Sequence, residues 1–195
     1  MEYKLKQSTI PTASLTLVEK VFVNRGIALQ DIEHYLHTTD DDILPPERLK
    51  NMRQGAMMLA KHLKDNSHVL IQVDSDCDGM TSAALLFNYL YRLFPAKVLN
   101  NFSYRLHDGK QHGLIYETIP DDVKLVIAPD SSSNDLEIHQ KLAEKGIDVL
   151  VLDHHLAPVE SEYACVINNQ TCDYPTKSLS GVGIVYKFCC YLDKM

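Results

Sequence analysis

The chain has 195 residues, of which 45% are hydrophobic and 23% are charged, and its formal net charge is −7. This composition is ordinary for a globular protein with room for one substantial domain and a small annex. The acidic balance argues against a broad basic face for duplex DNA. No apolar run approaches the length of about 18 residues that a membrane span needs, so we expect no membrane contact. Five cysteines without a C-x-x-C pair indicate a reducing compartment and a cytoplasmic location.

The N-terminal third of the sequence has the periodicity of helices. Apolar residues recur at helical spacing over residues 14–26, 31–37 and 47–64, and Gly26 suits the end of the first helix. An acidic run and the pair Pro45-Pro46 separate the second helix from the third. We therefore predict a small helical annex over residues 1–66.

After residue 67, short β-branched runs alternate with helical stretches. The predicted strands are 69–73, 98–102, 123–128, 149–152 and 165–167, and the predicted helices are 80–94, 134–145 and 181–192. The strands are apolar throughout, which is typical of a parallel sheet buried on both faces. Residues 67–195 are thus predicted to form an α/β domain: a doubly wound, mainly parallel five-stranded sheet with helices on both faces.

Acidic and histidine residues follow three of the predicted strands. Asp74, Asp76 and Asp78 follow the first strand, Asp130 follows the third, and Asp153-His154-His155 follow the fourth. Ligands bind at the carboxyl ends of parallel strands, so we expect these groups to converge, with the first three acids on one side of an extended chain. Carboxylate and imidazole ligands suit Mn²⁺, with Mg²⁺ as the other candidate, and two such ions can activate water at a phosphoester. The alternative for the first cluster is a solvated acidic turn that caps a helix.

The two adjacent histidines are expected to differ in role. We predict that His154 binds a metal ion and that His155 contacts the substrate phosphate or transfers a proton. Asp153 is predicted to orient an imidazole ring. A purely structural role for the histidine pair is the alternative.

Two further stretches are candidates for substrate binding. Arg105 is predicted to grip a phosphate, with His107 two residues further on. Ser180, Gly181 and Gly183 open the last predicted helix, where exposed amides can cradle a phosphate. The alternative for the first stretch is a surface arginine beside a histidine-rich loop. The alternative for the second stretch is simple helix packing.

The sequence resembles the DHH phosphoesterase superfamily and, within it, the RecJ single-stranded-DNA exonucleases. The resemblance is carried by Asp76-Cys77-Asp78-Gly79, by the Asp130 segment, by Asp153-His154-His155 and by the stretch CDYPTKSLSGVG at 172–183. Together with shorter matches, these motifs cover about residues 17–195.

The resemblance implies a Mn²⁺-dependent phosphodiesterase with two ions that degrades single-stranded DNA from the 5′ end, with a place in DNA repair and recombination. The positions that match the family's metal ligands are Asp76, Asp78, Asp130 and His154, with Asp74 as a further acid near the metals. His155 matches a phosphate-contacting or catalytic histidine. Arg105 and the turn at 180–183 match elements on the substrate side.

The sequence also departs from the family pattern. Gln72 stands where some superfamily members have a histidine, and residues 131–135 replace the usual Asn-Gly. The family places another metal-binding Asp and further domains beyond position 195, so we expect that C-terminal domains of a longer protein are missing. Two other functions stay open: a DHH-family oligoribonuclease or cyclic-dinucleotide phosphodiesterase, and a catalytically incomplete RecJ-like domain that acts as a scaffold.

Overall fold

The computed structural model describes residues 14–109 and 111–195, and the chain divides into two compact units, Met1–Leu44 and Pro45–Met195. The smaller unit contains helices α1 (Leu17–Asn24) and α2 (Ile32–Leu36). Thr16 begins α1 with a capping box, in which its side chain and that of Glu19 each bond the other's backbone amide. Gly26 follows α1 and has a φ of +86°, the left-handed conformation that commonly ends a helix. This agrees with the role that the sequence predicts for Gly26.

The larger unit is built on a five-stranded sheet. Its strands are β1 (His68–Val73), β2 (Phe102–Leu106), β3 (Val123–Pro129), β4 (Asp148–Asp153) and β5 (Cys165–Asn168). Its helices are α3 (Met52–Asp65), α4 (Cys77–Leu93), α5 (Pro95–Asn101), α6 (Leu136–Glu144) and α7 (Gly181–Leu192). All neighbouring strands are parallel, in the order β2-β1-β3-β4-β5. The predicted doubly wound α/β fold is confirmed.

Both faces of the sheet are covered because its central strands are apolar on each side. On one face, Val126 and Val151 belong to a buried cluster with Leu142 of α6. On the other face, α3, α4 and α7 contact the strands. Helix α3 approaches so closely that a Cβ added at Gly55 would lie 2.8 Å from the side chain of Ile167.

Two predicted elements were wrong in ways that matter for the site. Residues 98–101 belong to α5 and not to a strand, because Pro95 occupies the first helical position and the strand begins only at Phe102. Helix α4 begins at Cys77, three residues before the predicted start, because the Asp76 side chain accepts a hydrogen bond from Gly79 N. Asp78 therefore lies in the first helical turn, and the acids of this segment do not alternate along an extended chain.

The predicted domain boundary between residues 66 and 67 stays a prediction. Helix α3, which that boundary assigns to the annex, lies in the larger compact unit and contacts β5 and α7. None of the helices within residues 14–109 and 111–195 has the length and apolar character of a membrane span.

Candidate active site

The sheet has its topological switch point between β1 and β3, since the chain moves outward from β1 to β2 and then returns to the other side of β1. Side chains at the carboxyl ends of such neighbouring strands line a crevice. Asp74 follows β1, Asp130 follows β3 and Asp153 ends β4. The three strand ends that the sequence predicts to converge are thus adjacent in the sheet.

Asp130 adopts an unusual backbone conformation at this edge. Its φ is +69°, and its amide donates to Leu152 O at 2.8 Å, which holds the turn against β4. A left-handed conformation is tolerated by aspartate but costs free energy relative to a regular strand. The surrounding structure therefore holds the Asp130 carboxylate in one direction.

The carboxylate of Asp130 is buried and unsatisfied. The residue is 1% exposed, and neither side-chain oxygen has a hydrogen-bond partner among the described residues. His154 Nε2 lies 3.2 Å from Oδ1, outside hydrogen-bonding geometry. Burial, followed by the charges of Asp78 and Asp76, raises the pKa of Asp130 to about 8. A bound cation would compensate this burial, which is costly for an unpaired carboxylate.

The histidine pair lies beside this carboxylate. The rings of His154 and His155 are 4.5 Å apart between centroids. His155 Nδ1 lies 2.7 Å from Asp153 Oδ1, so this nitrogen donates to the carboxylate and Nε2 stays available. Burial lowers the pKa of His155, but the hydrogen bond and charge of Asp153, with the charges of Asp130 and Asp74, raise it overall.

Asp153 is held from several directions. Its Oδ1 accepts from the amides of His154 at 2.7 Å and His155 at 3.1 Å, and its Oδ2 accepts from Ser133 N at 3.1 Å. Burial opposes ionisation, but these hydrogen bonds keep the pKa of Asp153 below its usual value. Asp153 thus makes the contact with the His155 ring that its predicted orienting role requires.

Three of these groups could hold a metal ion together. One ligand atom each from Asp130, His154 and His155 lies within 4.8 Å of the others. Asp78 is near, with its Oδ2 3.6 Å from His154 Nε2. Unsatisfied carboxylate oxygens beside imidazole nitrogens fit a borderline divalent cation such as Mn²⁺.

Asp76 and Asp78 both accept hydrogen bonds from helix starts, of which the sequence indicated only the capping of the following helix. Exposed Asp76 caps α4 through Gly79 N at 2.8 Å. The two oxygens of Asp78 accept from Gly181 N at 2.7 Å and Val182 N at 2.9 Å, so this acid caps α7 from a distant part of the chain. Each carboxylate keeps further lone pairs, so these bonds leave room for a metal contact.

At the start of α7, the backbone amides that were predicted to bind a phosphate are bonded to side chains of the protein. Besides the two amides bonded by Asp78, the amide of Gly183 donates to Ser180 Oγ at 3.2 Å. All three amides are therefore occupied within the protein. Gly181 instead permits close packing, since an added Cβ would lie 2.6 Å from Asp130 Cβ.

Of the predicted substrate residues, Arg105 lies in β2 and His107 directly follows that strand. Arg105 pairs in register with Gln72, and its Nε is buried without a hydrogen-bond partner. His107 is buried, with Nδ1 3.1 Å from Asp74 Oδ1 and Nε2 2.7 Å from Gly113 O. Both of its nitrogens are engaged, so His107 is placed to orient Asp74 and not to contact a substrate directly.

One histidine of the site, in the histidine-rich loop after β2, received no role from the sequence. His112 Nδ1 lies 2.5 Å from Asp74 Oδ2, and the ring is 5.6 Å from that of His155. The only signal in the sequence is its position five residues after His107, in a loop whose length does not reveal how it folds back.

The fold and the site together define a class of protein: an α/β domain in which carboxylates and imidazoles cluster at the topological switch point of the sheet. The model of the DHH family, N-terminal domain, matches residues 68–195, and the chain belongs to that family.

Two curated proteins of Bacillus subtilis are similar to this chain in sequence. The chain is 39% identical over 175 residues to a protein of Bacillus subtilis whose name describes it as an SPbeta prophage-derived single-strand DNA-specific exonuclease, YorK, covering 89% of this chain. It is 27% identical over 190 residues to the single-stranded-DNA-specific exonuclease RecJ of the same organism, covering 94% of this chain. The chain spans only 30% and 24% of the lengths of these two relatives.

Solved structures share the fold. One is the structure of exonuclease RecJ bound to manganese, with a TM-score of 0.67 and 21% sequence identity. The match covers 77% of this chain and 39% of the RecJ chain. RecJ from Thermus thermophilus in complex with Mn²⁺ covers 75% of this chain, which covers 21% of it, at a TM-score of 0.60 and 21% identity. At these identities the likeness supports the fold.

Proposed function

We propose that the chain is a metal-dependent phosphodiesterase domain that acts on single-stranded DNA as a 5′-to-3′ exonuclease. The observation that carries the proposal is the buried Asp130 carboxylate, which has no hydrogen-bond donor among the described residues and lies beside His154 and His155. The names of the curated relatives, which describe single-strand-specific exonucleases, support the substrate class. The two RecJ structures that share the fold contain manganese, which supports Mn²⁺ as the cofactor, and we propose two ions per site.

The proposed metal ligands are Asp130 and His154, together with Asp76 and Asp78 at the start of α4. A bound divalent cation would supply Lewis acidity toward a phosphate oxygen and a more acidic water. The protein's own contribution is to bury the Asp130 carboxylate and to hold its oxygens free of competing donors.

His155 is proposed as the proton-transferring residue. Asp153 fixes its Nδ1–H, so that Nε2 is the atom that can accept or deliver a proton at the substrate. The negative charges of Asp153, Asp130 and Asp74 stabilise the protonated ring and so raise its pKa. Such a ring suits the protonation of a leaving oxygen.

On the substrate side, Arg105 is proposed to contact a phosphate, because it carries a buried guanidinium nitrogen with no partner among the described residues. We also propose a cytoplasmic location, since all five cysteines are free. The further domains of the longer relatives are proposed partners in forming the rest of the DNA channel.

The test is hydrolysis of a 5′-phosphorylated, 3′-labelled oligothymidylate by the purified chain, run beside calorimetric titration with Mn²⁺. We expect saturable Mn²⁺ binding and Mn²⁺-dependent release of mononucleotides from single strands, abolished by EDTA and by Asp130→Asn. The matching duplex and an oligoribonucleotide of the same length distinguish the substrate class. Absence of Mn²⁺ binding by the wild-type chain would contradict the proposal.

A further inference from the structure

The loop after β2 is tied to the site through Asp74. Asp74 is a buried residue, and its Oδ1 accepts from Ser75 N at 2.8 Å and lies 3.1 Å from His107 Nδ1. Its Oδ2 lies 2.5 Å from His112 Nδ1. Oδ1 of Asp74 therefore accepts a hydrogen bond and Oδ2 forms an ion pair, whereas neither oxygen of Asp130 accepts a hydrogen bond from the described residues.

The loop itself is fixed at several points. His107 Nε2 bonds the carbonyl of Gly113 at 2.7 Å, and Leu114 N donates to Asp135 at 2.8 Å. Gly113 has a φ of +74°, and a Cβ there would lie 2.5 Å from an Asp135 oxygen, so the turn depends on glycine. These contacts place the residue before Gly113 at the rim of the metal cluster.

His112 occupies that rim position. Its side chain is 59% exposed, while the Asp74 carboxylate that it meets is 4% exposed. Within the described part of the chain no hydrogen bond reaches its Nε2, and its ring stands edge-on to that of His155 at 5.6 Å. One nitrogen is thus anchored on a buried acid, and the other is open beside the candidate proton-transfer group.

We infer that His112 is a further substrate-contacting residue, which Asp74 holds in place as a positioning residue and not as a metal ligand. In the ion-paired form, the free Nε2–H is a donor for a non-bridging phosphate oxygen of a bound single strand. Anchoring by a buried carboxylate reduces the ordering cost of that contact. The inference rests on the proposed function, since it names a contact for the same substrate.

An alternative is that Asp74 is a metal ligand, as its sequence position suggests, and that His112 merely covers it. The two accounts differ in what each substitution changes. A metal ligand controls Mn²⁺ affinity, whereas a positioning residue controls affinity for the nucleic acid and acts only through His112.

The experiment uses the full chain and its variants Asp74→Asn, His112→Ala, His112→Gln and the Asp74→Asn/His112→Ala double variant. His34→Ala, an exposed histidine of the smaller unit, is the matched control. Mn²⁺ affinity is measured by calorimetry. Affinity for a phosphorothioate oligothymidylate with a free 5′-phosphate and a 3′-fluorescein is measured by anisotropy in saturating Mn²⁺.

We expect the Mn²⁺ affinity of Asp74→Asn and of His112→Ala to stay within about threefold of the wild-type value. Each variant should bind the oligonucleotide about tenfold more weakly, because one charge-assisted hydrogen bond is lost. The double variant should be no weaker than either single variant, and His112→Gln should recover most of the binding. Because His112 is exposed, its variants test the inference even if Asp74→Asn unfolds.

Loss of Mn²⁺ affinity by at least about tenfold in Asp74→Asn would overturn the inference, since one ligand contact has that size. Wild-type oligonucleotide binding by His112→Ala would overturn it as well. Failure of the wild-type chain to bind Mn²⁺ would count against the proposed function instead, so the two failures are distinguishable.

Discussion

Two kinds of carboxylate lie at the same edge of the sheet. Asp74, Asp78 and Asp153 accept hydrogen bonds from amides of the protein, whereas Asp130 is as buried as Asp153 and accepts none from the described residues. A satisfied carboxylate is stable without a cation, but an unsatisfied buried one is not. Under the proposed function, hydrogen bonds from the protein hold the satisfied acids in place, and Asp130 is the acid that most needs a bound cation.

The largest expected effect is the loss of Mn²⁺ affinity when the Asp130 charge is removed. We expect Asp130→Asn to lower Mn²⁺ affinity by about 100-fold, because the amide removes the buried negative charge at the centre of the cluster. Calorimetric titration measures it, with Asp173→Asn as the control because Asp173 is an exposed acid elsewhere in the same unit. Wild-type affinity in Asp130→Asn would mean that the ion binds without the Asp130 charge, and would contradict the proposal.

The close packing of α7 on Asp130 is tested by adding one methyl group. We expect Gly181→Ala to destabilise the protein by about 2 kcal/mol, since the new Cβ would overlap the Asp130 side chain. Denaturant unfolding measures the free energy. The control is Gly183→Ala, whose Cβ would meet only ordinary contacts at 3.5 Å or more and whose helical position favours alanine. Equal stability of the two variants would refute the packing argument.

The unsatisfied state of Asp130 also predicts a pH dependence of stability. The folded-state pKa is raised from 3.8 to about 8, so the stabilisation that the protonated group gives is complete below pH 3.8 and is lost as pH rises through 8. In EDTA, Asp130→Asn should therefore gain stability relative to wild type between pH 4 and 8, reaching on the order of 2 kcal/mol at the upper end. Thermal unfolding across this range measures it, and a constant difference would contradict the assignment.

A smaller effect concerns the satisfied Asp78. We expect Asp78→Ala to destabilise the start of α7 by about 1 kcal/mol, because two amides lose their acceptor and the helix loses a favourable charge. Hydrogen exchange at Gly181 and Val182 should become faster, while exchange in the middle of α7 changes little. Unchanged protection at these two amides would show that Asp78 does not cap the helix.

Much of the fold follows from sequence because strand patterns are strong in a parallel sheet. The apolar runs at β1, β3, β4 and β5 have no competing interpretation, and their order brings the acidic strand ends together. The β2 prediction failed because Val98 and Leu99 look like strand residues, while Pro95 starts a helix that carries them. A local propensity was thus overridden by the preceding helix start.

Roles were predicted for the histidines and Asp153, but the other acids were predicted as one set, without the differences in hydrogen bonding that the structure shows. Asp74, Asp78 and Asp130 are the same residue type and all come shortly after an apolar strand, so the sequence does not reveal which of them the protein satisfies with its own donors. The partners of these acids come from distant segments: Gly181 for Asp78, and His112 for Asp74. Sequence spacing does not encode such contacts, so the division between satisfied and unsatisfied acids requires coordinates.

The most direct test of the central claim is a crystal of the chain soaked in Mn²⁺, with anomalous diffraction collected at the manganese edge. We predict an anomalous peak bonded to a carboxylate oxygen of Asp130 and to Nε2 of His154, with Asp74 still bonded to His107. A peak bonded to Asp74, with Asp130 left without a metal contact, would contradict it.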